Sequence, residues 1–234
     1  MPHPLTAVGF DADDTLWHNE TQFHLTQARL AALLADHADP HRLQDRLLEA
    51  ERRNLALYGY GVKGFVLSMI ETAIEVTEGR VPAAVIAGIL AEGRAMLGHP
   101  VDLLPHAEAT VRAVSGAGFR VILITKGDLI DQERKIAQSG IADLFDAVEI
   151  VSDKTPAVYA AIFARHGTGA AQGLMAGNSL RSDVLPMLAA GGFGAHVPHA
   201  VTWALEQAEA PVGDPRFFAL PDLSALPALL ARLG

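Results

Sequence analysis

The stretch "LTAVGFDADDTLW", Leu5 to Trp17, decides the fold. An apolar run stops at Asp11, and Asp13 and Asp14 follow almost at once. As a core strand, this run delivers three acids to one strand end. Like charges this close repel, and a buried carboxylate is costly unless it is paired or bound to a metal. A cation would make the cluster tolerable.

Downstream, short apolar runs alternate with helical patterns. "FRVILIT", Phe119 to Thr125, reads as a buried strand after a helix-like segment, Pro105 to Ala117. "DLIDQERKIAQSG" reads as a helix with Asp128 as N-cap and Gly140 as C-cap. "AVEIVS", Ala147 to Ser152, is a strand, followed by a helix over Pro156 to Arg165. "QGLMAGN", Gln172 to Asn178, is a strand, followed by a helix over Ser182 to Ala190. "GFGAHV", Gly192 to Val197, is expected to be the last strand, and "TWALEQAEA" a short surface helix with Trp203 packed inward. His196 and His199, split by Pro198, read as loop residues. This rhythm argues for an α/β fold, a parallel sheet with helices on both faces, in which ligands bind beyond the carboxyl ends of the strands.

Trp17 to Gly98 differs, with no convincing strand. It shows helical spacing in four stretches, broken at Asp39-Pro40, Gly59 to Gly64, Gly79 to Pro82 and Gly98 to Pro100. Four helices with short links predict a small bundle. The expected domains are therefore an α/β core of residues 1–16 and 99–234 and a helical insert of residues 17–98. The loop "YGYGVKG", Tyr58 to Gly64, reads equally as a substrate-selecting loop or as a flexible connection with packed tyrosines.

The bulk numbers bound the function. Half of the 234 residues are hydrophobic, enough for a real core, and the absence of cysteine excludes disulfides and thiolate metal sites. A formal net charge of -9 argues against nucleic-acid or anionic-membrane partners, which need a basic surface. "MPHPLTAVGF" has no basic region ahead of an apolar one, and no apolar stretch approaches the roughly 18 residues of a membrane span. A soluble, cytoplasmic protein is the expectation, with oligomeric state left open.

Polar groups collect where the strands end: Asp11 and Asp13, then Thr125 with Lys126 and Gly127, then Lys154, then "GNSLRSD", Gly177 to Asp183. Parallel strands would gather these groups on one edge. The set suits phosphoryl transfer. An ionised carboxylate can attack phosphorus, given a cation to offset two anions, and Mg2+ prefers hard oxygen ligands. A second acid can protonate the leaving oxygen and then activate water. A hydroxyl and a lysine can hold the other phosphate oxygens.

On these residues the sequence resembles the haloacid dehalogenase superfamily of phosphohydrolases. Its first motif is similar to Asp11-Ala12-Asp13-Asp14-Thr15, its second to Thr125, its third to Lys154 and its fourth to the Gly177–Asp183 loop. The resemblance implies a Rossmann-like, doubly wound parallel sheet, with the helical bundle inserted as a C1-type cap that would close over the site. It implies that Asp11 is the nucleophile and Asp13 the general acid/base. It also implies Mg2+ held by Asp11, the backbone carbonyl of Asp13 and Asp183, and phosphate held by Thr125 and Lys154. Two departures stand out. The fourth motif commonly opens with glycine-aspartate, but here it is Gly177-Asn178, so Asn178 would meet the metal directly or through water. Thr155-Pro156 follows Lys154 where proline-aspartate-proline is common.

Lys126 and Gly127 read equally as phosphate contacts or as residues without a role there, Gly127 through its backbone N–H, and Asp14 reads as a helix cap or hinge. Trp17 to Glu20 read equally as substrate-facing, packing or hinge residues. Asp13 points within the superfamily to phosphatases and phosphomutases, because the dehalogenases that named it lack this aspartate. The expected function is a Mg2+-dependent phosphatase acting on a small phosphorylated metabolite through an aspartyl-phosphate. The alternatives are a phosphomutase, a non-enzymatic phospho-acceptor and an inactive binding protein.

Overall fold

The computed structural model describes residues 5–233, which form two compact units. The first takes the described residues up to Glu20, Val101–Lys126 and those from Gln132 onward, and the second takes Thr21–Pro100 with Gly127–Asp131.

In chain order the elements are β1 (Ala7–Phe10), α1 (Glu20–Leu33), α2 (Pro40–Tyr58), α3 (Val62–Val76), α4 (Ala83–Leu97), α5 (Ala107–Gly116), β2 (Arg120–Lys126) and α6 (Leu129–Gln138). Then come β3 (Ala147–Val151), α7 (Pro156–His166), β4 (Gly173–Gly177), α8 (Leu185–Ala189), β5 (Phe193–His196), β6 (Phe217–Ala219) and α9 (Leu226–Leu233).

The first unit is built on one parallel sheet of order β3-β2-β1-β4-β5-β6. The apolar runs of β1 and β4 are buried along their whole length, as strands covered on both faces require. Side chains alternate between two cores. Val8, Phe10, Val121, Leu123, Leu174 and Ala176 meet α5, α6 and α9 on one face. Ala7, Ile122, Ile124 and Met175 meet α7 and α8 on the other. A Cβ on Gly173 would lie 2.3 Å from the Phe163 ring of α7, so this helix seats closely only because β4 starts with glycine. The strand order reverses direction between β1 and β4, and in such sheets this is where ligands bind.

Two late expectations need correction. β5 is not the last strand. β6 follows it, pairing Gly194 with Phe217 through His196 with Ala219. His196 ends β5, inside the strand expected over Gly192–Val197, and only His199 keeps the loop reading. The "TWALEQAEA" segment forms a single 3-10 turn, Ala204–Glu206, in which Leu205 is buried and Trp203 only half-buried.

The second unit packs α1 to α4 around Leu30, Leu34, Leu47, Phe65, Met69 and Ile89. Asp39 caps α2, accepting from the His41 and Arg42 amides, and Pro40 sits in its first turn. Within the Tyr58–Gly64 loop, Gly59 and Gly61 hold φ of 71° and 103°. Tyr58 is exposed rather than packed, and Lys63 bonds the Asp128 carboxylate at 2.9 and 3.0 Å. Among the described residues no helix is long and apolar enough to cross a membrane.

Candidate active site

Because the strands are parallel, the residues after β1, β2, β3 and β4 share one edge of the sheet. Asp11 leaves β1 with its N–H donating to the Ala176 carbonyl of β4 at 2.9 Å. One oxygen of its buried carboxylate, Oδ1, accepts from Lys154 Nζ at 2.5 Å, and Oδ2 accepts from the Thr15 hydroxyl at 2.8 Å. Lys154 Nζ also donates to Asp183 Oδ1 at 2.7 Å. Asp183 Oδ2 accepts from the Ser179 amide at 2.9 Å.

The turn carrying Asp183 is wide. Residues Leu180–Val184 form a π-helical turn before α8, where the sequence suggested a helix from Ser182. Ser179 starts this turn by accepting from the Ser182 amide, and the Val184 amide reaches back to the Ser179 carbonyl. Tyr159 of α7 is fully buried and donates its hydroxyl to the Ser182 carbonyl at 3.0 Å. The turn curls Asp183 so tightly onto the end of β4 that a Cβ on Gly177 would lie 2.2 Å from Asp183 Oδ2.

Asp13 faces another way. Its Oδ1 accepts from Trp17 Nε1 and Lys135 Nζ, both at 2.7 Å. Its Oδ2 accepts from Lys135 Nζ at 2.7 Å and Gln132 Nε2 at 2.8 Å. Asp14 holds φ of 63°, which aspartate tolerates, and its carboxylate accepts from the Asn19 and Glu20 amides. It caps α1.

The electrostatics split the cluster. Burial first, then the nearby Asp183 charge, push the Asp11 carboxyl up to about 7 against the pull of Lys154. Burial alone would raise Asp13 too. The Lys135 charge and the hydrogen bonds from Lys135, Gln132 and Trp17 outweigh it and hold Asp13 below its ordinary value. Lys154 is raised despite burial by the two carboxylates it bridges.

The sequence-selected residues do not all converge. Asp11, Lys154 and Asp183 meet directly. Asn178 joins through Thr15: its backbone N–H donates to Thr15 Oγ1 at 3.0 Å, and its Oδ1 accepts from the same hydroxyl at 3.4 Å. Thr125 is buried near the end of β2, beside Ile150 of β3. Lys126 is turned onto the Glu206 carboxylate and bonds Ser182 Oγ at 2.7 Å.

Sequence reasoning missed Gln132, Lys135 and Glu206. Glu206 also accepts from the Ser179 and Ser182 hydroxyls at 2.5 Å each. It therefore ties the turn that carries Asp183 to the chain beyond β5. Lys135 had a sequence signal: a charged residue on the same helical face as Ile136 and Gln132, pointing to the core.

The donor chemistry fits a hard divalent cation. Asp11, Asp13 and Asp183 face two ammonium groups, Lys135 and Lys154, which leaves a carboxylate in excess. Among the described residues, no group of three His, Asp or Glu side chains could hold a metal. A cation here would need backbone carbonyls, Asn178 or water as its further donors, a mixture Mg2+ accepts.

A family model described as haloacid dehalogenase-like hydrolase matches residues 5–191. The chain belongs to the haloacid dehalogenase-like hydrolases. A haloacid dehalogenase-like hydrolase from Xanthomonas campestris is 44% identical over 98% of this chain and 91% of its own, with a TM-score of 0.87. A predicted phosphoglycolate phosphatase from Haemophilus somnus is 16% identical, covering 96% of this chain and 97% of its own, at 0.64. YfnB from Bacillus subtilis, described as a hydrolase of this type bound to magnesium, is 17% identical over 97% and 99%, at 0.66. Haloacid dehalogenases stand at a similar distance, 18% identical with a TM-score of 0.61 in one case. At such identities these structures share the hydrolase fold with its helical cap and do not choose between activities. No curated protein sequence matches the chain.

Proposed function

We propose that this hydrolase is a Mg2+-dependent phosphatase that cleaves a small phosphorylated metabolite through an aspartyl-phosphate. One observation carries the reading. Two carboxylates two residues apart in the chain, Asp11 and Asp13, are held by different lysines. A nucleophile alone can be served by one carboxylate. A second one, separately held and close in the chain, supplies the proton that an alkoxide leaving group requires.

Asp11 attacks phosphorus, its Oδ–P bond forming as the P–O bond to the alcohol breaks. Thr15 and Lys154 fix the attacking carboxylate. Asp13 gives its proton to the departing oxygen. Asp13 then takes a proton from water, whose oxygen bonds phosphorus and frees Asp11. Lys154 and Thr125 hold phosphate oxygens; Lys126, held on Glu206 and Ser182, would have to leave Glu206 to join them. Asp11, Asp183 and the Asp13 carbonyl would hold the cation, with Asn178 beside them. When bound, Mg2+ neutralises charge on the transferring group.

Turnover of 4-nitrophenyl phosphate with Mg2+ tests the reading. Asp11→Asn should abolish it, and full activity in that variant would sink the mechanism. Product analysis on hexose phosphates separates hydrolysis from transfer to a second sugar hydroxyl, the phosphomutase outcome.

A further inference from the structure

Asp13 is saturated. Both of its oxygens accept two short hydrogen bonds, from Trp17, Gln132 and a doubly bonded Lys135. Gln132 and Lys135 lie three apart on the buried face of α6, just ahead of the core residue Ile136. Each is anchored elsewhere as well. Gln132 Nε2 also donates to the Lys126 carbonyl at 3.2 Å, and Lys135 Nζ to Asn19 Oδ1 at 3.2 Å. The amide of Gln132 cannot flip, because both neighbours of its nitrogen are acceptors. Its Oε1 is buried with no hydrogen-bond partner. An unpaired buried acceptor costs stability, and an apolar side chain of similar shape would not bear that cost. Gln132 is therefore explained by what its nitrogen does, the shorter bond to Asp13 and the longer one to the Lys126 carbonyl, not by packing.

We infer that Gln132 and Lys135 are positioning residues of the reaction, a two-pronged cradle on α6 that sets where the Asp13 carboxyl can exchange its proton. This rests on the phosphatase reading above. The cradle fixes Asp13 from the side of α6, while Trp17 fixes it from its own chain segment. To reach a substrate oxygen, Asp13 exchanges at least one of these donors for that oxygen, and the remaining ones keep its rotamer.

The two chemical steps respond differently. With 4-nitrophenyl phosphate the leaving phenolate departs without a proton, so phosphorylation of Asp11 does not need Asp13 as an acid. Hydrolysis of the aspartyl-phosphate still needs it as a base. Lys135→Met and Gln132→Leu should therefore lower kcat about 10- to 100-fold, part of the 10²–10⁴ that a placed acid/base contributes. They should leave kcat/KM within about 3-fold and raise the fraction of acid-quenched phosphoenzyme. Lys135→Arg should recover part of kcat.

In an Asp13→Asn background, Lys135→Met should bring no further loss, because it acts only through Asp13. That background also removes the buried unpaired charge that could unfold the single variant. Equal falls in kcat and kcat/KM with no phosphoenzyme would overturn the inference. So would an unchanged kcat in both single variants, or a further loss in the double variant. These outcomes are read against an active wild type. A wild type that turns over no ester and forms no phosphoenzyme overturns the phosphatase reading, and the inference with it.

Discussion

Gly177→Ala is a one-atom test of how the site is held. A Cβ there would sit 2.2, 2.4 and 2.8 Å from Oδ2, Cγ and Cβ of Asp183. Carbon contacts are comfortable only near ~3.5 Å, so Asp183 must retreat by roughly 1 Å. Its two short bonds, 2.7 Å to Lys154 Nζ and 2.9 Å to the Ser179 amide, cannot both survive that shift. Hydrogen bonds to a charged group contribute about 1.5–3 kcal/mol each, and overpacking costs about 1–3 kcal/mol. Taking about 3 kcal/mol in total, the melting temperature should fall ~6–12 °C for a chain of this size. Activity should fall on the order of 10²-fold, because a shift of about 1 Å at a reacting centre has that effect. The assay is differential scanning fluorimetry beside 4-nitrophenyl phosphate turnover across a Mg2+ titration. Gly116→Ala, where a Cβ meets nothing within 4 Å, is the control. Wild-type melting and wild-type turnover in Gly177→Ala would refute the claim that this glycine sets the position of Asp183.

Lys154→Met leaves Asp11 and Asp183 buried without their shared cation, and it should cost about 3–5 kcal/mol and nearly all activity, read by urea denaturation and turnover. In metal-free protein Asp11 titrates near 7 against 3.8 in the unfolded chain, so the native state keeps a proton that the unfolded state has released. Stability should therefore fall as pH rises from about 4 to about 7, and Asp11→Asn should remove that slope. Mg2+ binds ionised carboxylates, so it should raise the melting temperature more at pH 8 than at pH 5, and an equal rise at both would count against the site. Glu206→Ala releases the Ser179 and Ser182 hydroxyls together with Lys126, and it should cost about 2–3 kcal/mol by urea midpoint while changing KM for a phosphate ester.

The strands that build the site were legible because they are central. β1, β2 and β4 are covered on both faces, so they read as unbroken apolar runs ending at polar groups. β6 was not legible. Its three residues lie at the sheet edge, only partly buried, and alternation cannot show in so short a run. The first-motif aspartates stood out because their crowding is local. Glu206 did not, because its partners lie 24 to 80 residues away and only the sheet brings them together. Gln132 and Lys135 fall between these cases: helical periodicity puts them on a buried face, but only the fold places Asp13 there.

The crowding of acids after β1 thus resolves by division. One lysine serves Asp11 and Asp183, another serves Asp13, and a turn of backbone amides serves Asp14. Yet the division sets a chemical problem. A nucleophile must be ionised and an acid must carry a proton, whereas burial raises Asp11 and Lys135 lowers Asp13. The phosphatase reading therefore requires two changes on binding. Asp11 and Asp183 would hold a divalent cation, whose charge would favour their ionised forms and so return Asp11 to a nucleophile. A substrate oxygen that displaces a donor from Asp13 weakens the hold of α6 and lets the carboxyl take up a proton. On this argument the cation and the α6 cradle work on opposite members of the pair. Removing the cation should then block formation of the phosphoenzyme, and loosening the cradle should block its hydrolysis. Rapid-quench measurement of the phosphoenzyme separates the two, and loss of the same step in both cases would refute the division.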